Sequence, residues 1–322
     1  MIHADVVIVG GGPAGAACAW QLRRLGAEVI ILDRAVFPRA KLCAGWIQPE
    51  VLRDLELDPN EYPHSLTTFR SMTVSISGLK LRIPTRQYAI RRLEFDQWLL
   101  KRAAVPTYQH TVREIRASAG GYTLDAAYYA RYLVGAGGTH CPVYRTLFQE
   151  SCPRHPSGLI LTQEQEFPYT YTDDRCQLWF FENGLPGYAW YVPKSGGHVN
   201  VGIGGKAEAL RARSDTIKAQ WDTFTRRLER LGLVRSFKYQ PEGHAYYLRA
   251  PVPFPRIGDA LITGDAAGLA TLDMGEGIGP AIQSGLLAAE SIAHNTDYSL
   301  SPIRPYSIRP AWLPRLLLGP AS

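Results

Sequence analysis

Apolar positions follow several different periods along this chain, and each period predicts a different element. Val6-Val7-Ile8-Val9 is an unbroken apolar run, the pattern of a strand buried on both faces of a parallel sheet. It enters Gly10–Gly15 and then the small residues Ala16, Ala17, Cys18 and Ala19, which predict a helix start. A second apolar strand over 28–32 ends in Asp33, and Tyr132-Leu133-Val134 ends in Gly135-Ala136-Gly137-Gly138. Ala260–Thr263 repeats the buried-strand pattern and leads through Gly264-Asp265 to a helix over 279–293. Helices are also predicted over 49–57 and 92–103, the latter with Phe95, Trp98, Leu99 and Leu100 as its apolar side. Segments 73–77 and 80–83 flank Gly78 as a hairpin, and 37–47 reads as a loop interrupted by Pro38 and Gly45. From 146 to 204 the pattern changes. Short aromatic runs over 177–181, 187–193 and 198–203 alternate with Pro and Gly, which predicts an antiparallel sheet. A helix rich in Arg, Trp, Phe and Leu follows over 216–231, and the five prolines in 297–322 predict an irregular tail.

Composition narrows the class. The chain has 322 residues, 46% hydrophobic and 20% charged, enough for a large core and too apolar for global disorder. No apolar run is long enough to span a bilayer, and the N-terminus shows no leader pattern, so the expected location is cytoplasmic. The five cysteines form no Cys-x-x-C and no His pair has ligand spacing, so no metal site is expected. The net charge of +6 fits a plain basic surface, and it also suits anionic lipid, a phosphate-bearing substrate or an acidic electron-donor protein. No nucleic-acid motif occurs.

The N-terminal pattern of strand, Gly-x-Gly-x-x-Gly, helix and then an acid about twenty residues on is a dinucleotide-binding fingerprint. Gly10 permits the tight turn, Gly12 lets backbone approach a pyrophosphate, and Gly15 lets helix and strand pack closely. Pro13 and Ala14 open the helix whose free N–H groups face the phosphates, and Asp33, followed by Arg34, is placed for ribose hydroxyls. The expected architecture is α/β. It has a discontinuous nucleotide-binding domain over 1–145 and 245–297 and an inserted antiparallel-sheet substrate domain over 146–244. The hairpin around 67–90 can belong to either, and 298–322 is the tail.

Gly264-Asp265-Ala266-Ala267-Gly268, with Gly275-Glu276-Gly277-Ile278 after it, resembles the FAD-binding pattern of the p-hydroxybenzoate hydroxylase superfold. Three further segments resemble the geranylgeranyl reductase family within it. They are Pro38 to Gly45, which includes Lys41 and Cys43; Tyr188-Ala189-Trp190-Tyr191-Val192-Pro193 followed by Gly202-Ile203-Gly204; and Arg92-Leu93-Glu94-Phe95-Asp96. The resemblance spans residues 1 to about 295 and implies a Rossmann-like FAD-binding domain with FAD as cofactor. In its terms Asp265 meets the ribityl chain, Gly275, Gly277 and Ile278 face the flavin ring, and Arg92 approaches the pyrophosphate. Ala44, Gly45, Val112 and Gly135 complete the candidate cofactor contacts. Val192 departs from the family's usual Phe, and Leu272 from a Pro frequent in relatives.

Cys43, Tyr188 and Trp190 are the candidate catalytic residues. Tyr188 and Trp190 alternate on one strand face, either as core packing or as an aromatic wall that cushions positive charge. Cys43 is either inert packing or a proton donor, gate or redox thiol. Lys41 is either solvated or paired with a phosphate or carboxylate, and Asp273 and Met274, just before Gly275, have no assigned role. The expected function is an FAD-dependent oxidoreductase that saturates carbon–carbon double bonds of a prenyl-type or other apolar substrate. Its electrons would come from NAD(P)H or a reduced electron carrier, and peripheral membrane contact accompanies a lipid substrate. The alternatives are a flavin-dependent monooxygenase or halogenase acting on an aromatic or polyketide substrate, and a non-catalytic flavin-binding remnant.

Overall fold

The computed structural model describes residues 1–64, 66–118 and 120–308. The chain forms two compact units, each assembled from separate stretches. The first unit comprises residues 1–39, 95–155 and the chain from 247 on; the second comprises 40–94 and 156–246. The expected boundaries therefore shift: 40–94, with the Cys43 loop and the hairpin, belongs to the second unit, and that unit resumes at 156 rather than 146.

The first unit is built on a mostly parallel sheet. β1 (Ile2–Val9) pairs in parallel with β2 (Val29–Asp33) and with β9 (Tyr128–Gly135). β2 pairs with β6 (Thr107–Gln109), and β9 pairs with β16 (Ala260–Ile262), again in parallel. β15 (Arg256–Ile257) and the hairpin of β7 (Ile115–Ser118) and β8 (Gly121–Leu124) add antiparallel edges. Val6 to Val9 and Val29 to Asp33 are all buried, as strands covered on both faces must be. α1 (Pro13–Arg24) opens on Pro13 at its first turn, where a missing N–H costs no hydrogen bond. α6 (Ile278–Ala293) packs against α1, so closely that a Cβ at Gly285 would lie 2.2 Å from the Ala14 carbonyl oxygen. The described part of the predicted tail, up to 308, is irregular yet packed: Tyr298, Leu300 and Ile303 join the core, and the Tyr298 hydroxyl donates to the Ile262 and Ser284 carbonyls. Residues 309–322 lie outside the described residues.

The second unit carries an eight-stranded sheet in the order β14-β10-β13-β12-β11-β4-β5-β3. Here β3 is Trp46–Ile47, β4 Thr67–Ile76, β5 Leu79–Ala89, β10 Leu159–Pro168, β11 Cys176–Phe180, β12 Gly187–Lys194, β13 His198–Lys206 and β14 Glu242–Tyr247. The expected antiparallel sheet is mixed, because β11 and β4 pair in parallel. The hairpin expected around 67–90 is formed by β4 and β5, which pair from Thr67↔Ala89 to Ile76↔Leu79. Alternation splits β12 and β13 between two faces. Ala189, Tyr191, Val199, Val201 and Ile203 enter a core covered by α5 (Ile217–Arg230), whose Trp221, Phe224 and Leu228 lie on one face of the helix. Burying each of those three contributes roughly 1.5–3 kcal/mol. Tyr188, Trp190, Val192 and Lys194 point to the opposite face. Among the described residues no helix is long and apolar enough to cross a membrane.

Candidate functional site

In the first unit, the turn from Gly10 to Gly15 is shaped by what a side chain would hit. Gly10 has φ +115°, and a Cβ there would lie 2.3 Å from the Ala136 carbonyl oxygen. A Cβ at Gly15 would lie 1.9 Å from the Gly10 carbonyl oxygen. Gly12 differs: within 4 Å its Cβ would meet only the tip of the Arg39 side chain, at 3.5 Å. The protein itself thus fills the space at Gly10 and Gly15 and leaves Gly12 open. The Arg39 guanidinium is placed there by buried Asp96, at 3.5 Å, and lies over the Phe37 ring. Arg39 was not singled out in the sequence; its position next to an acidic residue of a later helix has no local signal.

Asp33 ends β2 with its carboxylate 9% exposed. Its Oδ2 accepts the Gly11 N–H at 2.7 Å and its Oδ1 the Ala35 N–H at 2.8 Å. Each oxygen keeps a second lone pair, so the group both fixes the turn and can accept from a ribose. Arg34 next to it is exposed. Pro13 and Ala14 are buried at the helix start. Asp265 lies in the short turn Gly264–Ala266, and its Oδ1 would sit 3.2 Å from a Cβ at Gly277. Asp265 makes no side-chain hydrogen bond among the described residues. Gly275 has φ +59°, and Ile278, the first residue of α6, is buried. Two other candidates have a packing reason for their identity. A Cβ at Gly135 would meet Val143 at 2.9 Å and Cys141 Sγ at 3.1 Å, and Val112 belongs to the core. Asp273, left without a role above, accepts the Ser307 and Ile308 N–H groups and so ties down the chain after α6.

Arg154 is a second residue that the sequence did not flag. Its Nη1 donates to the Thr139 carbonyl at 2.5 Å and its Nη2 to the Ala266 carbonyl at 2.6 Å, while its plane lies 3.7 Å over Tyr144. It joins the glycine-rich end of β9 to the Asp265 turn. Burial holds its guanidinium below the usual arginine range, against the favourable pull of neighbours that include Asp265.

In the second unit, the sheet face away from α5 combines aromatic and charged side chains. Phe180 stacks on Tyr188 at 5.0 Å, and Tyr188 is tilted against Trp190 at 5.6 Å. Tyr188 is half-buried and Trp190 is 5% exposed. The Trp190 Nε1–H donates to Asn200 Oδ1 at 2.7 Å, and Asn200 Nδ2 donates to the Cys43 carbonyl at 3.3 Å. Asn200 therefore joins the Cys43 loop to the indole, which brings two of the three catalytic candidates onto one amide. Cys43 is itself half-buried, and its Sγ accepts the Gly45 N–H at 3.3 Å. Gly45 has φ +70°, and a Cβ there would lie 2.1 Å from the Ile90 carbonyl oxygen and 2.7 Å from Lys194 Nζ.

Charge concentrates beside this aromatic row. Lys194, 1% exposed, donates to Glu166 Oε2 at 2.6 Å, and Arg91 Nε donates to Glu166 Oε1 at 2.8 Å. Burial pushes the Glu166 carboxyl up, but Lys194 and Arg91 outweigh it and hold the group below the usual range. Lys41 Nζ lies 2.7 Å from His244 Nε2, and Arg92 is buried. Glu164, on β10 opposite Gly202, is 3% exposed, and its Oε2 has no hydrogen-bond partner. Burial raises its carboxyl to about 7, against the pull of Lys194, Lys41 and Arg92 and with a further push from Glu166. A Cβ at Gly202 would lie 2.2 Å from the Trp190 ring and 2.7 Å from Glu164 Cβ, so that glycine is what lets indole and carboxyl meet. None of Asn200, Lys194, Glu164 or Glu166 stood out in the sequence. On paper they are single polar residues in separate strands; only strand register gathers them.

The profile of a family described as FAD dependent oxidoreductase matches residues 5–94. The geranylgeranyl diphosphate reductase of Rhodobacter capsulatus is 26% identical over 89% of this chain and 74% of its own length. An uncharacterized protein of Methanosarcina barkeri is 30% identical over 90% of this chain and 74% of its own length. A geranylgeranyl bacteriochlorophyll reductase-like protein from Thermoplasma acidophilum shares the fold, with a TM-score of 0.81 at 19% identity over 99% of this chain and 83% of that one. The open turn at Gly12, the acid at the end of β2 and the carboxylate of Asp265 fit a dinucleotide carrying a sugar-like chain, and with these relatives the chain belongs to the geranylgeranyl reductase family of FAD-dependent oxidoreductases.

Proposed function

We propose that the chain saturates carbon–carbon double bonds of a prenyl-type, apolar substrate. The observation that carries this reading is the row Phe180–Tyr188–Trp190 on the sheet face not covered by α5, with the Cys43 loop tied to it through Asn200. An aromatic row suits an alkene chain, and the ring faces can stabilise positive charge that develops as the double bond is protonated. Cys43, Tyr188 and Trp190 are accordingly assigned to the substrate.

For the cofactor, the open backbone at Gly12, with Pro13 and Ala14 behind it and Arg39 beside it, is assigned to the diphosphate. Asp33 and Arg34 are assigned to the ribose and Asp265 to the ribityl hydroxyls. Gly275, Gly277 and Ile278 are assigned to the flavin ring, and Arg92, Ala44 and Gly45 complete the set. Bound FAD supplies two-electron hydride chemistry, and the residues position it and exclude water. The electrons reach it from a nicotinamide or a reduced electron-carrier protein, for which the net charge of +6 suits an acidic carrier.

The test is anaerobic turnover. Protein with chemically reduced flavin should convert geranylgeranyl diphosphate to products two mass units heavier per double bond, without oxygen. Strict oxygen consumption with an oxygenated product would instead make the chain a monooxygenase. Asp265→Ala should lower FAD affinity by about 1.5–3 kcal/mol, roughly ten- to hundredfold, with the fold retained. Unchanged affinity by titration would remove Asp265 from the cofactor contacts.

A further inference from the structure

Three large apolar side chains stand in a row on β5 of the second unit: Leu79 is 63% exposed, Leu81 45% and Ile83 39%. They alternate with Lys80 and Arg82, so the apolar side chains share one face of the strand and these basic ones the other. Pairing continues the apolar face inward. Leu79 lies opposite Ile76, which lies opposite Phe180 and then Tyr188. Leu81 lies opposite Val74, then Leu178 and Trp190. Residues opposite one another share a face of a sheet, so the aromatic row and the exposed row are two ends of one apolar surface. Val74 and Leu178, at its inner end, are buried; its outer end is open. Exposed apolar residues scattered singly are ordinary, whereas a row of three continuous with a buried face marks an interaction site.

Backbone and charge together decide what covers this row. Apart from the short pairing of β3 with Tyr88 and Ala89, β5 has no strand on its outer side among the described residues. Such an edge invites a strand of another copy. Pro84, however, removes a ladder donor midway along it, and edge-to-edge pairing would bring Lys80, Arg82 and Arg86 against like charges. The hairpin from Thr67 to Ala89 carries Arg70, Lys80, Arg82 and Arg86, all exposed, and no acidic residue. Asp173, whose charge Lys80 also feels, is engaged by Arg175 and Gln177. An apolar row flanked by cations complements a surface that is apolar within and anionic outside. We propose that the β4–β5 hairpin docks the protein on a bilayer containing anionic lipid. Leu79, Leu81 and Ile83 enter the acyl boundary, and the four basic side chains reach the headgroup phosphates along their flexible stems. The proposal goes beyond the reductase reading and does not depend on it.

The test is flotation of the FAD-loaded protein with vesicles of phosphatidylcholine alone or of phosphatidylcholine mixed with phosphatidylglycerol. It needs no turnover, so its failure and that of the reductase reading are separate results. Wild type should float with the mixed vesicles, bind phosphatidylcholine alone far more weakly, and come off the mixed vesicles as salt is raised. Leu79→Ser combined with Leu81→Ser should weaken binding to the mixed vesicles about tenfold or more, because two apolar side chains no longer leave water. Lys80→Gln combined with Arg82→Gln should weaken it about ten- to thirtyfold on the mixed vesicles and little on phosphatidylcholine. All four positions are exposed, so both variants should keep the wild-type Tm and FAD content. If the leucine pair lowers Tm, Ile83→Ser alone carries the same reading with a smaller loss. Protein that floats with neither vesicle overturns the proposal. So does binding that these variants retain in full, or binding of equal strength to the two vesicle types. Concentration-dependent dimerisation in light scattering, abolished by the leucine pair and unaccompanied by vesicle binding, would give the face to a second copy and overturn the proposal as well.

Discussion

The glycine turn of the first unit and the aromatic face of the second reach function by opposite means. At Gly10–Gly15 the chain works by leaving side chains out. Gly10 and Gly15 are required by the protein's own backbone, and Gly12 alone faces open space. On the second unit's sheet the chain works by crowding side chains together. Lys194, Glu166, Asn200, Trp190 and Glu164 all depend on one another's positions. The contrast separates two kinds of importance. A glycine can be essential to folding without touching a ligand, and a buried charge can be essential to folding through the partner it pairs with.

The largest effect that would sharpen this contrast is expected at Lys194. Lys194→Met leaves the half-buried Glu166 without its ammonium partner and should cost about 3–5 kcal/mol in denaturant melts. Glu166 now sits below the usual carboxylate range, so its share of stability is lost as pH falls. The penalty of the variant should therefore shrink at acid pH, where the carboxyl is protonated. A pH-independent loss would mean that Lys194 acts by packing alone.

Next is the pair Gly15→Ala and Gly12→Ala. The first drives a methyl into the Gly10 carbonyl and should cost roughly 3 kcal/mol, in the range for overpacked sites. The second should leave the melting of the FAD-free protein nearly unchanged and weaken FAD. Equal destabilisation of the apoprotein by both would erase the distinction drawn between the two glycines. The smallest effect belongs to the far side of the second sheet. Thr216 caps α5 by accepting the Ala219 N–H, and Thr216→Ala should cost about 1 kcal/mol with no change in FAD content or turnover. A change in turnover would show that the α5 face communicates with the aromatic face.

Residue by residue, what could be read in advance follows a physical pattern. The buried strands β1, β2 and β16 were visible because a parallel strand covered on both faces needs an unbroken apolar run. The mixed character of the second sheet was not visible, since nothing in the sequence of β4 or β11 marks its partner and only the crossover makes them parallel neighbours. The apolar pattern by itself marked only the tip of the hairpin, 73–77 and 80–83. Residues such as Arg86 lie on a largely exposed stretch with no apolar alternation to mark it. Gly135 carried a motif-like signal, yet Val143 and Cys141 give its identity a packing reason.

The sequence by itself determined the features written in consecutive residues: the strand–glycine–helix unit, the acid after β2, the Gly-Asp turn and the alternation of Tyr188 with Trp190. Those are local, because turn geometry and strand periodicity depend on neighbours in the chain. Tertiary structure alone decided the rest. Arg39 meets Gly12 through Asp96, Arg154 links two turns of the first unit, and Glu164 meets Trp190 across Gly202. Each depends on which strands and turns become neighbours, and for Glu164, Gly202 and Trp190 on a register in which a one-residue slip would turn the side chains to the other face.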